Sequence, residues 1–163
     1  MPKTDCADVF KHEIIRKYFD TVYRLALSRT NNKDWAEDVL QDVFLKYIES
    51  NKVFQDEEHI KAWLITVTVN CTKRLFRAPW NVRHVPITED IVFETPERND
   101  VYSAVARLPA KYRTVIHLFY YEDMSVKQIA RCLGMKENTV KSNLHRARSM
   151  LKPLLGGRED YEF

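Results

Sequence analysis

The chain has 163 residues, of which 45% are hydrophobic, 30% are charged and only three are glycine; this excludes a disordered or collagen-like polymer and favours a helical globular protein. Its formal net charge is only +3, so any nucleic-acid surface must arise from local clustering and not from a basic chain overall. No apolar run approaches the length of a membrane span, the polar start MPKTDCADVF has no signal-peptide core, and Cys6, Cys71 and Cys132 are odd in number without paired ligand spacing, which points to a cytoplasmic protein with reduced thiols, no metal site and no cofactor.

From the N-terminus, Asp8 to Arg29 reads as a first helix, with Ile14, Tyr18, Val22 and Leu25 on one face. A polar break at Asn31 and Asn32 precedes a second helix from Asp34 to Glu49, whose core face carries Ala36, Val39, Leu40, Val43 and Tyr47. The opposite face holds Asp38, Gln41, Asp42, Leu45 and Glu49. Two readings fit this face. Leu45 is an ordinary isolated surface leucine, or it is the centre of an acid-framed docking patch for a basic partner.

The stretch NKVFQDEE, Asn51 to Glu58, reads as a loop with Phe54 at its middle. A third helix is expected from about His59 to Arg77, with Ile60, Trp63, Leu64, Val67, Cys71 and Leu75 as its core stripe. Beside it, Thr66, Asn70, Lys73 and Arg77 line up two hydrogen-bonding groups and two cations along one ridge. Such a ridge suits a nucleic-acid strand, with the polar groups reading and the cations holding phosphates; an ordinary solvated helix edge has the same composition.

Residues Ala78 to Thr95 contain Pro79 and Pro86, lose helical period and turn acidic at Glu89, Asp90 and Glu94, as a linker does. Thr95 and Pro96 open a helix with Val101, Val105 and Leu108 on its face, and Pro109 opens another with Tyr112, Val115, Ile116 and Phe119. The expected class is therefore all-α: two small helical domains, of three to four helices at 1–78 and of four helices at 96–155, joined by a flexible linker at 79–95 and followed by a disordered tail at 156–163.

The plainest functional signal lies in Ser125 to Lys152. Ser125 and Gln128 have the spacing of a capping box, Val126, Ile129, Ala130 and Leu133 share a face, and Gly134 marks the helix exit. A second helix follows from near Glu137, with Val140, Leu144, Ala147 and Leu151 facing inward. This is a helix-turn-helix pattern. Asn138, Ser142, His145 and Ser149 project directly away from the apolar stripe, with Lys141, Arg148 and Lys152 on one flank and Arg146 on the other. Short polar groups between cations suit a major groove, where the centre reaches base edges and the flanks neutralise phosphates; a solvated basic face is the plain alternative.

DWAEDVLQDVFLKYIE (Asp34 to Glu49) with HIKAWLITVTVNCTKRLFR (His59 to Arg77) resembles region 2 of the bacterial sigma-70 family, in its small extracytoplasmic-function (ECF) group. LPAKYRTVIHLFYYEDMSVKQIARCLGMKENTVKSNLHRARSML (Leu108 to Leu151) resembles region 4 of the same group, most closely over VKSNLHRAR. The resemblance implies a dissociable, non-catalytic subunit of RNA polymerase that selects promoters and helps to open them. On it, Asp38, Gln41, Asp42 and Leu45 match the surface that docks on the beta-prime clamp helices, and region 4 matches the unit that meets the beta flap. Asn70 matches an asparagine that helps read the minus-10 element, with Thr66, Lys73 and Arg77 on the same ridge. Phe54, Gln55, Asp56 and Glu57 match the loop that captures a flipped base, which offsets a few kcal/mol of unstacking. Lys136, Lys141, Ser142, Asn143, His145, Arg146 and Arg148 match the helix that enters the major groove at the minus-35 element. Members of the group are typically held by an anti-sigma factor, often membrane-anchored, and such a partner is expected here because no additional regulatory domain is legible.

Several positions depart from the family pattern. Lys136 stands where serine is common and forfeits a side-chain cap; Asn143 stands where arginine is common; and the basic run after the third helix is reduced to Lys73, Arg74 and Arg77. Two other classes of function compete with the leading one: a stand-alone helix-turn-helix regulator that never engages polymerase, and a metal-dependent nuclease using Asp38, Asp42 and Glu49, whose spread over three turns argues against it.

Overall fold

In the computed structural model, which describes residues 6–77 and 96–156, every regular element is helical. α1 (Cys6–Thr30), α2 (Lys33–Glu49) and α3 (Glu57–Arg77) form an N-terminal unit. α4 (Pro96–Ala106), α5 (Ala110–Ile116) continuing into a π-helical turn (His117–Tyr121), α6 (Val126–Leu133) and α7 (Glu137–Leu154) form a C-terminal one. The all-α, two-domain class is thus observed. The linker at 79–95 and the tail beyond Gly156 lie outside the described residues.

Local sequence explains the boundaries. Asn31 sits at φ 49, a left-handed conformation that asparagine tolerates, and so ends α1. Asn32 then caps α2, its side chain accepting from the Trp35 amide at 3.1 Å. Asp56 accepts from the His59 amide at 2.8 Å, and α3 therefore starts at Glu57, two residues before the boundary expected from apolar periodicity. Ser125 and Gln128 form the anticipated capping box, at 3.1 and 2.9 Å, and Gly134 closes α6 at φ 63. α7 starts after Lys136, which makes no side-chain cap hydrogen bond, as its identity implied.

The N-terminal core gathers Ile14, Tyr18 and Val22 of α1, the α2 stripe including Phe44, and Ile60, Leu64 and Cys71 of α3. A second core contains Leu108, Tyr112, Val115, Ile116 and Leu118 with Ile129, Val140, Leu144, Ala147 and Leu151. This second cluster also takes in Leu25, Ile65 and Val69 from the N-terminal unit. α3 is therefore buried on two faces. One packs on α1 and α2; the other, carrying Ile65 and Val69, meets the C-terminal unit.

Two details differ from the periodic reading. Leu108 is buried but lies beyond the end of α4, in a tight turn whose amide bonds to the Val105 carbonyl at 3.0 Å. Phe119 is only half-buried because the backbone has widened into the π-helical turn by then, with the Glu122 amide bonding to the His117 carbonyl at 3.2 Å.

Candidate nucleic-acid and docking interfaces

On α2, the packing of Ala36, Val39, Leu40, Val43 and Tyr47 into the core leaves Asp38, Gln41, Asp42 and Leu45 exposed together. Leu45 keeps 53% of its surface and Ile48, one turn on, keeps 50%. An apolar centre framed by carboxylates is thus present as a surface. Ile48 extends it, which the helical spacing could have shown.

The loop before α3 is more occupied than its sequence suggested. Phe54 packs against Tyr47, Trp63 and His59, with ring centroids 6.2, 5.7 and 5.3 Å away. Asp56 is the α3 cap, and the backbone amide of Gln55 donates to His59 Nδ1 at 3.2 Å. Glu57 belongs to the first turn of α3, not to the loop; it accepts from the Tyr18 hydroxyl at 2.9 Å and pairs with Lys17. That hydrogen bond and ion pair hold the Glu57 carboxyl below its usual range, while burial pushes the Tyr18 hydroxyl up to about 12. Within the expected base-capturing set, then, Asp56 caps α3, Glu57 ties its first turn to α1, and Phe54 is packed among aromatic rings.

Along α3, Asn70, Lys73 and Arg77 are exposed on one ridge, as the spacing required. Thr66 is not open in the same way. Its hydroxyl donates to the Ala62 carbonyl at 2.9 Å and to the Cys132 carbonyl of α6 at 3.2 Å. The structure thus assigns Thr66 to a contact between units, which corrects the reading of the ridge as four equivalent strand-facing groups.

On α7, burial of Val140, Leu144, Ala147 and Leu151 leaves Asn138, Lys141, Ser142, His145, Arg146, Ser149 and Lys152 exposed, with Lys136 exposed just before the helix. Asn143 is an exception to the expected groove-facing set. It is 7% exposed, because at 3.6 residues per turn it lies only about 70° from the centre of the apolar stripe and is drawn into the packed side. The two arginines are held by aromatic residues of the preceding segment. Arg146 hydrogen-bonds Tyr112, which lowers the tyrosine pKa. Arg148 lies over Phe119 and Tyr120 at 5.6 and 5.7 Å.

The least anticipated cluster lies where the units meet. Arg29 and Arg113 are 7% and 8% exposed. Arg29 Nε donates to Thr72 Oγ1 at 2.7 Å and its Nη1 to Thr114 Oγ1 at 2.7 Å. Arg113 donates from Nε to the Ser28 carbonyl at 2.6 Å, from Nη2 to the Arg29 carbonyl at 2.9 Å, and from Nη1 to the Leu108 carbonyl. Burial lowers both guanidinium pKa values, Arg29 to about 10 with Arg113 adding to the shift, so both stay charged at neutral pH. Next to them His117 is buried, and its Nε2 has no hydrogen-bond partner. No sequence period marks these residues, because polar side chains on an inward face are indistinguishable from surface ones until the partner surface is known.

No cluster of three or more metal-ligating side chains occurs among the described residues, and no described helix is long and apolar enough to cross a membrane.

These features define a two-domain all-α protein with a helix-turn-helix and a separate helix, α2, that exposes an acid-framed apolar face. Residues 14–81 match the sigma-70 region 2 family and residues 98–151 match sigma-70 region 4. The chain is 32% identical to the RNA polymerase sigma factor SigV of Bacillus subtilis, over 80% of this chain and 81% of that one. It is 30% identical to the ECF RNA polymerase sigma factor SigM of the same organism, over 87% and 93%. Its fold is similar to that of the sigma factor RpoE solved in complex with the anti-sigma factor NepR from Bartonella quintana, with a TM-score of 0.72, 27% identity, and 90% and 96% of the two chains covered. The chain belongs to the sigma-70 family of RNA polymerase sigma factors, in its ECF group.

Proposed function

We propose that this sigma factor docks on core RNA polymerase through the α2 face of Asp38, Gln41, Asp42 and Leu45, and reads promoters at two places. α7 enters the major groove of the minus-35 element with Lys141, Ser142, His145 and Arg146, while Lys136 and Arg148 hold phosphates. Asn70, Lys73 and Arg77 track the non-template strand of the minus-10 element, and the loop at Phe54 and Gln55 receives an unstacked base. The division of labour follows residues 1–78 and 96–155, with 79–95 threading between them. The protein works in the cytoplasm as a non-catalytic specificity subunit, and its region 4 meets the beta flap. The anti-sigma complex of its structural relative supports an inhibitory protein partner, often membrane-anchored in this group; full activity in cells with polymerase as its only partner would argue against one.

The observation that carries this reading is the pair of polar faces left exposed on α2 and α7, helices whose opposite sides are wholly committed to the cores. Co-migration with purified core polymerase tests it. Asp42→Arg combined with Leu45→Ala should weaken assembly by at least about tenfold, as loss of a central anchor does. Wild-type assembly by that variant would leave the α2 face without this role and favour a stand-alone DNA-binding regulator.

A further inference from the structure

His59 touches both residues of the loop proposed above to receive an unstacked base. The Gln55 amide donates to its Nδ1 at 3.2 Å, and its ring meets the Phe54 ring in a T-shaped contact with centroids 5.3 Å apart. In return the His59 amide donates to Asp56 Oδ1 at 2.8 Å. A capping box has the same reciprocity, with a Glu or Gln side chain reaching back to the cap. Here an imidazole reaches back one residue further, into the loop itself.

We propose that His59 is a positioning residue for base capture: its neutral imidazole holds the Gln55 backbone and the Phe54 ring in the geometry that receives the base. The inference rests on the reading of that loop given under Proposed function. A backbone N–H leaves Nδ1 only the acceptor role, so the ring carries its proton on Nε2. Residues 51–56 belong to no helix or strand, and side-chain anchors therefore set the path of their backbone. The Lys52 amide donates to Ser50 Oγ at 3.1 Å on one side of Phe54, and Gln55 is tied to His59 on the other.

The imidazole is separable from the helix start it sits on. Asp56 caps α3 through the backbone amide of residue 59, which every substitution except proline keeps. A change of side chain there leaves the cap in place and releases the loop. Extruding a base carries an unstacking cost, and a pocket already ordered offsets more of it than one that must order as the base arrives. The effect of His59 therefore falls on promoter opening and not on the closed complex, which α7 holds through duplex contacts.

Two variants of the full chain divide the acceptor from the ring. His59→Asn replaces Nδ1 with an amide oxygen that can accept from Gln55, whereas His59→Phe keeps a ring beside Phe54 and has no acceptor. Amide hydrogen exchange should show Gln55 protected in the native chain, about tenfold faster in His59→Phe, and within about threefold of native in His59→Asn. With core polymerase on a promoter that the native chain opens, His59→Phe should lower permanganate reactivity at the start site by about threefold to tenfold. His59→Asn should recover it to within about twofold, and closed-complex affinity should stay within about twofold for both. The proposal is overturned if His59→Phe opens the promoter as the native chain does, if His59→Asn fails as badly as His59→Phe, or if closed binding falls in step with opening. Native opening that neither variant alters would remove the role of His59 alone; a native chain that forms the closed complex and never opens it would remove the base-capturing reading and this inference with it.

Discussion

Arg148 Nε donates to the Tyr120 hydroxyl at 2.8 Å while the guanidinium lies over the Tyr120 ring. The side chain is half-buried by this contact, so the most central cation on that flank of α7 is fixed in place before DNA arrives. Preorganisation of this kind lowers the ordering cost of a phosphate contact. Tyr120→Phe should keep the ring beneath the cation and lose the hydrogen bond, weakening duplex binding by severalfold and to the same extent on cognate and random sequences, about 1 kcal/mol. Fluorescence anisotropy with both duplexes checks this; a loss confined to the cognate duplex would move Arg148 from phosphate holding to base reading.

Arg146, on the opposite flank and tethered to Tyr112, is assigned the specific contact. Arg146→Ala should cost about 1–3 kcal/mol on a cognate duplex, and Lys152→Ala should weaken all sequences alike and flatten the salt dependence. Equal losses for Arg146→Ala on cognate and random DNA would take it off the specificity set.

Lys136 presents a trade between helix capping and DNA binding. It precedes α7 without capping it, so Lys136→Ser should stabilise the chain by about 0.5–2 kcal/mol in urea unfolding while reducing duplex affinity. A variant that gained stability with undiminished affinity would show that the lysine holds no phosphate.

His117 gives the seam a pH dependence. Burial, with Arg24 assisting, lowers its pKa to about 4, while the Glu122 carboxylate at 3.9 Å is too far to hydrogen-bond and restore it. Since the unfolded chain binds the proton more readily, the stability associated with neutral His117 is complete above about pH 6.5 and is lost as pH falls from there towards 4. At pH 5 the loss is about 2 kcal/mol relative to pH 7. Unfolding of the native chain and of His117→Gln at both values isolates this from the carboxylates; equal pH sensitivity of the two proteins would dismiss it.

The sequence made legible those features that depend on one helix at a time. The apolar stripes of α1, α2 and α7, the Ser125 capping box and the Gly134 exit follow from local spacing, and so do the exposed faces carrying Leu45 and His145. What it hid depends on surfaces meeting. Ile65 and Val69 sit off the expected α3 stripe because the apolar cluster they enter belongs to the other unit, and no apolar period marks Arg29, Thr72, Thr114 or Arg113. Thr66 matched a strand-facing pattern yet bonds Cys132, and Asn143, close to the stripe edge, went inward. Asp56 and Glu57, assigned to the loop, cap and begin α3 because a capping aspartate outweighs the lack of apolar residues there.

Asn70 separates opening from binding. Exposed on the α3 ridge, it should matter little until strands part, so Asn70→Ala should lower permanganate reactivity at the start site more than it lowers closed-complex affinity. Unchanged reactivity would withdraw that role.

The most direct measurement is run-off transcription with purified core RNA polymerase over a library of genomic fragments, with and without this protein. Discrete transcripts that require the protein are the predicted result, and their start sites would supply both promoter elements. Fragments bound and shifted by the protein but never transcribed would contradict the account.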